Sequence, residues 1–138
     1  MVALASLPQN DSKRRLTAIV RIAAADGTLV CARCEVADSA LKRMRGLLGR
    51  RGLDPGEGML IVPAPSVMTF FMRFPIDVVF LDREHRIVGI SHTLRPWRVS
   101  GARRAYSALE LPAGTAEARG LAKGDLLSVG PVEAPTGV

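Results

Sequence analysis

Residues 76–81 constrain the fold more than any other part of the chain, because five of these six positions are apolar and the sixth is Asp77. An apolar run of this length without alternation is typical of a strand that is buried on both faces. A carboxylate inside such a strand must be paired, protonated or functional, since an isolated charge is costly to remove from water. The wider segment 68–82 holds all four phenylalanines of the chain, so we expect the domain to be organised around it.

Length and composition indicate an ordinary globular domain. A chain of 138 residues with 48% hydrophobic and 23% charged residues buries a sufficient core without disulfides or metals. The first residues lack the basic and apolar regions of a signal peptide, and no apolar run of about 18 residues follows. We therefore expect a cytoplasmic protein that has no membrane partner and no cofactor.

The chain is basic, with a net charge of +6 and sixteen arginines among its nineteen basic residues. Such an excess admits an anionic partner such as phosphate, nucleic acid or an acidic peptide. It is also typical of proteins encoded by GC-rich genomes, so charge alone does not identify a partner.

Turn residues divide the chain into short apolar segments of strand character. Strands are predicted over residues 15–22, 28–36, 59–62, 76–81, 86–93, 106–111 and 126–129. Asp26 and Gly27 form a turn between the first two strands, and a polar turn at residues 82–85 separates the fourth from the fifth. Each of these pairs is expected to form an antiparallel hairpin.

One helix is predicted over residues 39–48. Asp38 and Ser39 are both good N-cap residues, and apolar residues then recur at three-to-four spacing, as on the buried face of an amphipathic helix. These residues are Leu41, Met44, Leu47 and Leu48. Gly49 is the predicted C-cap. A single helical turn, capped by Thr115, is predicted over residues 115–119.

Short strands, frequent turns and one full helix are typical of a mainly β fold with minor helical content. We predict a compact antiparallel β sandwich or partly closed barrel, jelly-roll-like in outline, over residues 15–130. Residues 1–14 are predicted to form a mobile arm and residues 131–138 a disordered tail, since neither segment has periodic apolar residues.

Several pieces of the sequence together resemble the prokaryotic family catalogued as domain of unknown function 192. They are residues 43–50 (Arg-Met-Arg-Gly-Leu-Leu-Gly-Arg), 58–61 (Gly-Met-Leu-Ile), 69–82, 108–114 (Ala-Leu-Glu-Leu-Pro-Ala-Gly) and 124–125 (Gly-Asp). The resemblance implies a compact jelly-roll β sandwich with a short helix, and it implies no particular activity. Within the family this chain resembles the members with a shorter central motif, here Phe-Met-Arg-Phe-Pro-Ile-Asp at residues 71–77. In that shorter form a histidine often precedes Thr-Phe, and Met68 stands at this position.

The first functional hypothesis is a ligand-binding or interaction module with a pocket beside the segment 68–82. Apolar walls with a few oriented polar groups are typical of such pockets. The predicted walls are Met59, Phe71 and Met72, and the predicted polar contacts are Arg45 and Asp77. Alternatively, Arg45 ties the helix to a carboxylate of the sheet, because a guanidinium fork serves either task. The expected partner is a small molecule or a peptide, and the oligomeric state is left open.

The second hypothesis is an enzyme that uses Asp77 and Glu110 as acid and base. Both carboxylates lie in apolar strand sequences, where burial raises a carboxyl pKa and makes it suitable for proton transfer. The alternative role for Asp77 is that of a structural acceptor for backbone N–H groups or an arginine, because buried charges are nearly always paired. The two carboxylates act together only if the fold brings them to one place.

The third hypothesis is a nucleic-acid accessory protein that uses the arginine-rich loop 94–105. This loop has no acidic residue and contains Arg95, Trp97, Arg98, Arg103 and Arg104. Surfaces for single strands combine cations with several exposed aromatic rings. Because the phenylalanines are predicted to lie in the core, this hypothesis ranks below the first.

Cys31 and Cys34 have the spacing of a redox or metal-binding pair but lie in a predicted strand. Residues three apart in a regular strand face opposite sides, so the two sulfurs are expected to be independent thiols. A zinc site would need two further ligands, and the histidines of the chain, His85 and His92, do not form a close pair. We therefore predict no metal site.

Overall fold

The computed structural model describes residues 18–132. Within this range the protein is mainly β, as predicted, with nine strands and two short helices. The strands are β1 (Ile19–Ala24), β2 (Leu29–Ala37), β3 (Glu57–Ile61), β4 (Ser66–Met68), β5 (Ile76–Leu81), β6 (Ile87–Leu94), β7 (Val99–Gly101), β8 (Ser107–Pro112) and β9 (Leu127–Pro131). The helices are α1 (Ala40–Arg45) and α2 (Thr115–Ala118). In this part of the chain, no helix is long and apolar enough to cross a membrane.

Seven strands form one curled sheet in the order β6-β5-β8-β3-β2-β1-β9. Both predicted hairpins, β1–β2 and β5–β6, are present. The pair β2–β3 is parallel rather than antiparallel, because the connection through α1 supplies the long crossover that a parallel pair needs. The edge strands approach each other where Arg86 bridges Leu126 and the amide of Ile87 donates to the carbonyl of Asp125 at 2.8 Å. The sheet is therefore a half-barrel, which agrees with the predicted partly closed barrel.

The two faces of the sheet bury separate hydrophobic cores. All six residues of β5 are buried, as the apolar run predicted. Val79 and Leu81 point into the first core, which also contains Leu109 of β8 and Ala116 of α2. The alternate residues of β5 point into the second core, as does Ala108 of β8. Neighbouring residues of one strand thus serve different sides of the sheet.

A two-stranded ribbon, β4–β7, covers part of the second core and was not predicted. Val67 of β4 is buried in that core, so the flanking residues of this strand face outward. The hydroxyls of Ser91 and Ser100 form a hydrogen bond between β6 and β7. A Cβ atom on Gly89 would lie only 2.8 Å from that of Ala102, which shows how closely the segment after β7 approaches β6. The ribbon therefore packs against the edge of the sheet.

Helix α1 differs from the prediction in its length and in the face that it buries. The Ser39 side chain caps it by accepting from the amide of Lys42, but the helix ends at Gly46, which has a φ of 47°. The predicted core residue Met44 is 76% exposed, and Leu41 and Leu48 are also exposed. The prediction of a buried helix face was wrong, since no residue of α1 is buried and only Leu47, which follows the helix, enters the second core.

The remaining departures concern caps and ends. The N-cap of α2 is Gly114, in a left-handed conformation, and not Thr115. At the C-terminal edge, β9 pairs as far as Pro131. The predicted mobile arm at residues 1–14 lies outside the described residues, as does the predicted tail from residue 133 onward.

Candidate functional site

An exposed apolar patch lies at the end of the β4–β7 ribbon and on the turns that adjoin it. We call it the aromatic surface, and it consists of Met68, Phe70, Phe71, Trp97 and Val99. Phe71 is 71% exposed and Trp97 is 55% exposed. The ring centroids of Phe70 and Trp97 are 5.5 Å apart, and those of Phe71 and Trp97 are 4.6 Å apart. Met68 and Val99 are direct cross-strand neighbours. Apolar side chains clustered in this way on a surface commonly mark an interaction site.

Thr69, which is fully buried, holds the two aromatic turns together. Its hydroxyl donates to the carbonyl of Arg95 at 2.6 Å and accepts from the amide of Arg98 at 2.9 Å. Its own amide donates to the carbonyl of Arg98 at 2.8 Å, and its carbonyl accepts from the amide of Trp97 at 3.0 Å. One residue therefore fixes the turn that carries Phe70 and Phe71 against the turn that carries Trp97.

The backbone of the aromatic surface is strained. Phe71 and Trp97 both have a φ of 67°, and nearby Thr93 has a φ of 49°. Bulky residues rarely adopt this left-handed conformation, which costs on the order of 1–3 kcal/mol each and persists only where the surroundings impose it. Strain and exposed apolar area are both unfavourable for a free monomer, and here they occur in the same few residues.

The chain segments that build the aromatic surface carry positively charged residues and no negatively charged ones. The segments 58–76 and 85–109, which build this surface, contain no aspartate or glutamate until they reach Asp77 and Glu110. Arg73, Arg95 and Arg98 are exposed and lie within two positions of an aromatic ring in the chain. The remaining arginines of the predicted loop, Arg103 and Arg104, are also exposed. The exposed rings therefore lie on segments that carry only positive charge.

The location of the phenylalanines differs from the sequence prediction. Phe80 is buried and Phe74 is half-buried, but Phe70 and Phe71 are exposed. The reason given for ranking nucleic-acid binding low, that all phenylalanines lie in the core, was therefore wrong. One signal was available, because the adjacent residues Phe70 and Phe71 cannot both face the same side of an extended strand.

The five predicted pocket residues do not line one pocket. Met59 and Met72 are buried in the second core, and Phe71 belongs to the aromatic surface. Arg45 is exposed at the end of α1, and Asp77 is buried on the side of the first core. A cleft of about 220 Å³ lies elsewhere. Its lining residues are Ala24, Ala25, Asp26, Arg119, Gly120, Leu121, Asp125 and Leu126.

Two arginines other than Arg45 connect the α1 region to the sheet. Arg50 forms a 2.8 Å ion pair with Glu35 of β2. Arg43 donates to the carbonyl of Val62, just after β3, at 3.5 Å. The alternative prediction for Arg45 was a contact that links the helix to the sheet. Arg43 and Arg50 make such contacts instead.

Asp77 is a structural acceptor for the backbone. Its carboxylate accepts from the amides of Thr93 at 2.8 Å, Gly114 at 3.1 Å and Ala116 at 2.8 Å. Gly114 and Ala116 begin α2, which has no capping side chain of its own. Asp77 therefore caps α2 from the neighbouring strand and fixes the end of β6, which is the alternative role that the sequence left open.

Glu110 lies on the opposite face of the sheet from Asp77. In the β5–β8 register Asp77 pairs with Leu111, whereas Glu110 pairs with Val78. Directly paired residues share a face and successive residues alternate, so the two carboxylates point to different cores. They cannot act together as acid and base, which removes the geometric basis of the enzyme hypothesis.

The Glu110 carboxyl is buried without full hydrogen bonding. The residue is 4% exposed, and its Oε1 atom has no hydrogen-bond partner among the described residues. It lies between Met59 of β3 and Val78 of β5. Burial in these apolar surroundings raises the pKa of Glu110 to about 7. The group can therefore change charge near neutral pH.

The two cysteines share one core, contrary to the prediction. Val20 pairs with Cys34 and Ile22 with Cys31, so β2 has one extra residue between these pairs. This bulge interrupts the alternation and turns both thiols, which are free, into the first core. Cys31 donates to the carbonyl of Gly56 at 3.5 Å and Cys34 to the carbonyl of Glu35 at 3.8 Å. The neighbouring Cys34 thiol lowers the pKa of Cys31, and the neighbouring Cys31 thiol together with burial raises the pKa of Cys34. Within the described range, no group of three potential ligand side chains is placed to hold a metal ion.

The fold and the aromatic surface define a class of protein, a mainly β half-barrel whose edge ribbon presents exposed rings. The model of the family DUF192, described as an uncharacterized ACR, matches residues 21–129. The chain belongs to this family, as its motifs predicted.

Two archaeal relatives illustrate the similarity. The UPF0127 protein of Pyrococcus abyssi is 38% identical over 77 residues, which are 51% of this chain and 62% of that protein. The UPF0127 protein of Thermococcus kodakarensis is 32% identical over 105 residues, or 72% of this chain and 66% of that protein. The chain thus spans just under two thirds of the length of each relative.

Two crystal structures share the fold. A Novosphingobium aromaticivorans protein of unknown function has a TM-score of 0.69 at 23% identity, covering 80% of this chain and 83% of its own. A Sinorhizobium meliloti protein with the provisional name of a transcription regulator has a TM-score of 0.72 at 27% identity, covering 83% and 94%.

The structural role of Asp77 predicts a clear loss of stability when its charge is removed. Asp77→Asn replaces one acceptor oxygen by a donor amide, so we expect the free energy of unfolding to fall by about 1–3 kcal/mol. Urea denaturation measures this difference. Asp26→Asn is the control, because Asp26 makes one exposed hydrogen bond within a turn and its replacement should matter little. An Asp77→Asn protein as stable as the parent would contradict the assignment.

The buried Glu110 carboxyl predicts a stability that depends on pH. Because the folded-state pKa of about 7 lies above the ordinary 4.5, the neutral form favours folding. The stabilisation is complete below about pH 4.5 and is lost as the pH rises through 7, by on the order of 3 kcal/mol in total. Denaturation of the parent and of Glu110→Gln at a series of pH values tests this. The variant should lack the decline, and equal pH profiles would refute the prediction.

Proposed function

We propose that the protein is a binding module whose recognition surface is the aromatic surface. The observation that carries the proposal is the set of hydrogen bonds made by Thr69, which we call the Thr69 node. These bonds hold Phe71 and Trp97 exposed at left-handed backbone positions. A rigid surface loses little conformational entropy when a partner binds, so exposed rings that are fixed in advance favour affinity. Tryptophan and arginine are also the residues most enriched among binding hot spots.

Binding is favoured over catalysis by the arrangement of the ionisable groups. The buried carboxylates Asp77 and Glu110 lie on opposite faces of the sheet, and Asp77 is fully used by backbone amides. The aromatic surface itself has rings and guanidinium groups but no acidic residue in its segments. Such a set is better suited to holding a partner than to acid–base catalysis by paired carboxylates.

The chemistry of the aromatic surface also limits the kind of partner. Exposed rings favour apolar or planar groups, and the neighbouring arginines favour negative charge. The provisional name of the Sinorhizobium relative, a transcription regulator, is compatible with an anionic partner. We therefore expect a partner that presents planar or apolar groups together with negative charge.

Trp97 provides a direct test, because it is the single tryptophan of the chain and lies on the aromatic surface. A panel of nucleotides, oligonucleotides, peptides, sugars and lipid vesicles is screened by thermal shift and then by tryptophan fluorescence. We expect stabilising compounds to shift or quench the Trp97 emission, and Phe71→Ala to weaken their binding.

Leu126→Ala is the matched control for this screen. Leu126 is an exposed apolar residue that bridges Arg86 at the other end of β6, away from the rings. Its replacement should leave binding unchanged. A stabilising compound that leaves the Trp97 emission unaltered and still binds Phe71→Ala, but not Arg119→Ala in the cleft, would place recognition there and overturn the proposal.

A further inference from the structure

We propose that the partner of the aromatic surface is single-stranded nucleic acid. This inference rests on the proposed function and adds the chemistry of the partner. Three observations carry it: the stacked exposed rings, the arginines that accompany them, and the absence of acidic residues from the segments that build the surface.

The rings of the aromatic surface offer stacking positions for unpaired bases. Phe70 stacks on Trp97 with an interplanar angle of 27°, which supports the indole from one side. Phe71 is the most exposed of the three rings and is tilted by 58° to the indole. Two neighbouring bases of a flexible strand can adapt to rings at different angles, because each nucleotide rotates about its own backbone. Single-strand binding proteins combine base–aromatic stacking, which tolerates any sequence, with a positively charged groove for the backbone.

The arginines supply the contacts to phosphate. Arg73 follows Phe71 by two positions, and Arg95 and Arg98 lie on either side of Trp97. The guanidinium group binds phosphate oxygens in pairs and also stacks on bases, which makes arginine better suited to this partner than lysine. The segments that carry the rings therefore offer cations to a bound strand and contribute no carboxylate.

Double-stranded DNA fits this surface less well. In a duplex the faces of the bases are covered by their neighbours, so the rings have nothing to stack on. Readers of the major groove commonly insert a helix, whereas the helices of the described residues are six and four residues long. The aromatic surface therefore favours unpaired strands.

An anionic membrane is attracted by the same charges but would use the surface differently. Interfacial binding buries a broad apolar face to a depth of about 5–10 Å. The aromatic surface comprises five side chains on a ribbon of three-residue strands, and two of its rings already contact Trp97. Stacking of a strand needs only the exposed ring faces, so the observations favour nucleic acid.

The test is a fluorescence anisotropy titration of the full chain with labelled mixed-sequence DNA and RNA strands of about 12 nucleotides, a length typical of single-strand sites. We expect binding that weakens as salt increases. Phe71→Ala should reduce the affinity about tenfold, as the loss of one base stack does. Arg95→Gln with Arg98→Gln should reduce the slope of log affinity against log salt by roughly 0.7 for each arginine.

Two control variants change matching residue types away from the aromatic surface. Leu126→Ala replaces an exposed apolar residue, and Arg119→Gln replaces an exposed arginine. Both residues line the 220 Å³ cleft, which is separate from the aromatic surface. Both should keep the affinity and the salt slope of the parent. Circular dichroism confirms that each variant is folded, and the salt slope gives a second readout that does not depend on stacking.

The outcomes separate this inference from the proposed function. The inference is supported if single-stranded DNA, RNA or both bind and the variants lose affinity or salt dependence as expected. Comparison of the DNA and RNA titrations then shows which nucleic acid is preferred. Duplex bound as tightly as single strands overturns it. If strands do not bind while Trp97 responds to peptides or to anionic vesicles, the partner is wrong but the recognition surface stands. If no probe affects Trp97, both proposals fail.

Discussion

The hydrogen bonds of Thr69 are the interaction on which the aromatic surface depends. Four of them join two turns that are 26 or more residues apart in sequence, and the residue that makes them is fully buried. Without this node the left-handed backbone at Phe71 and Trp97 would relax, since each such position costs about 1–3 kcal/mol. Buried hydrogen bonds thus maintain an exposed apolar surface.

The sequence was most informative where the structure is determined by neighbouring residues. The apolar run of β5, the two hairpins and the N-cap at Ser39 each leave a local signature, and the structure has all of them. The burial of α1 could not be obtained in this way, because periodicity indicates which residues share a helix face but not whether the sheet covers that face. The bulge that turns Cys31 and Cys34 into one core is equally invisible, since it depends on how β2 pairs with β1.

The candidate site could be predicted only in part. From the sequence, Asp77 could be predicted to be either structural or catalytic. Its separation from Glu110 could not be predicted, because it depends on the register between β5 and β8. Phe71 and Trp97 were singled out separately, one as a pocket wall and one as a loop aromatic. Their contact depends on the long-range hydrogen bonds of Thr69, a residue that has no distinguishing feature in the sequence.

The central claim, that Thr69 holds the aromatic surface rigid, is tested most directly by time-resolved fluorescence anisotropy of Trp97. In the parent the tryptophan should rotate only with the whole protein. Thr69→Val removes the hydroxyl that bonds to Arg95 and Arg98 and should add a fast local rotation, whereas Thr69→Ser keeps the hydroxyl and should behave like the parent. Fast rotation of Trp97 already in the parent, or none in Thr69→Val, would contradict the account.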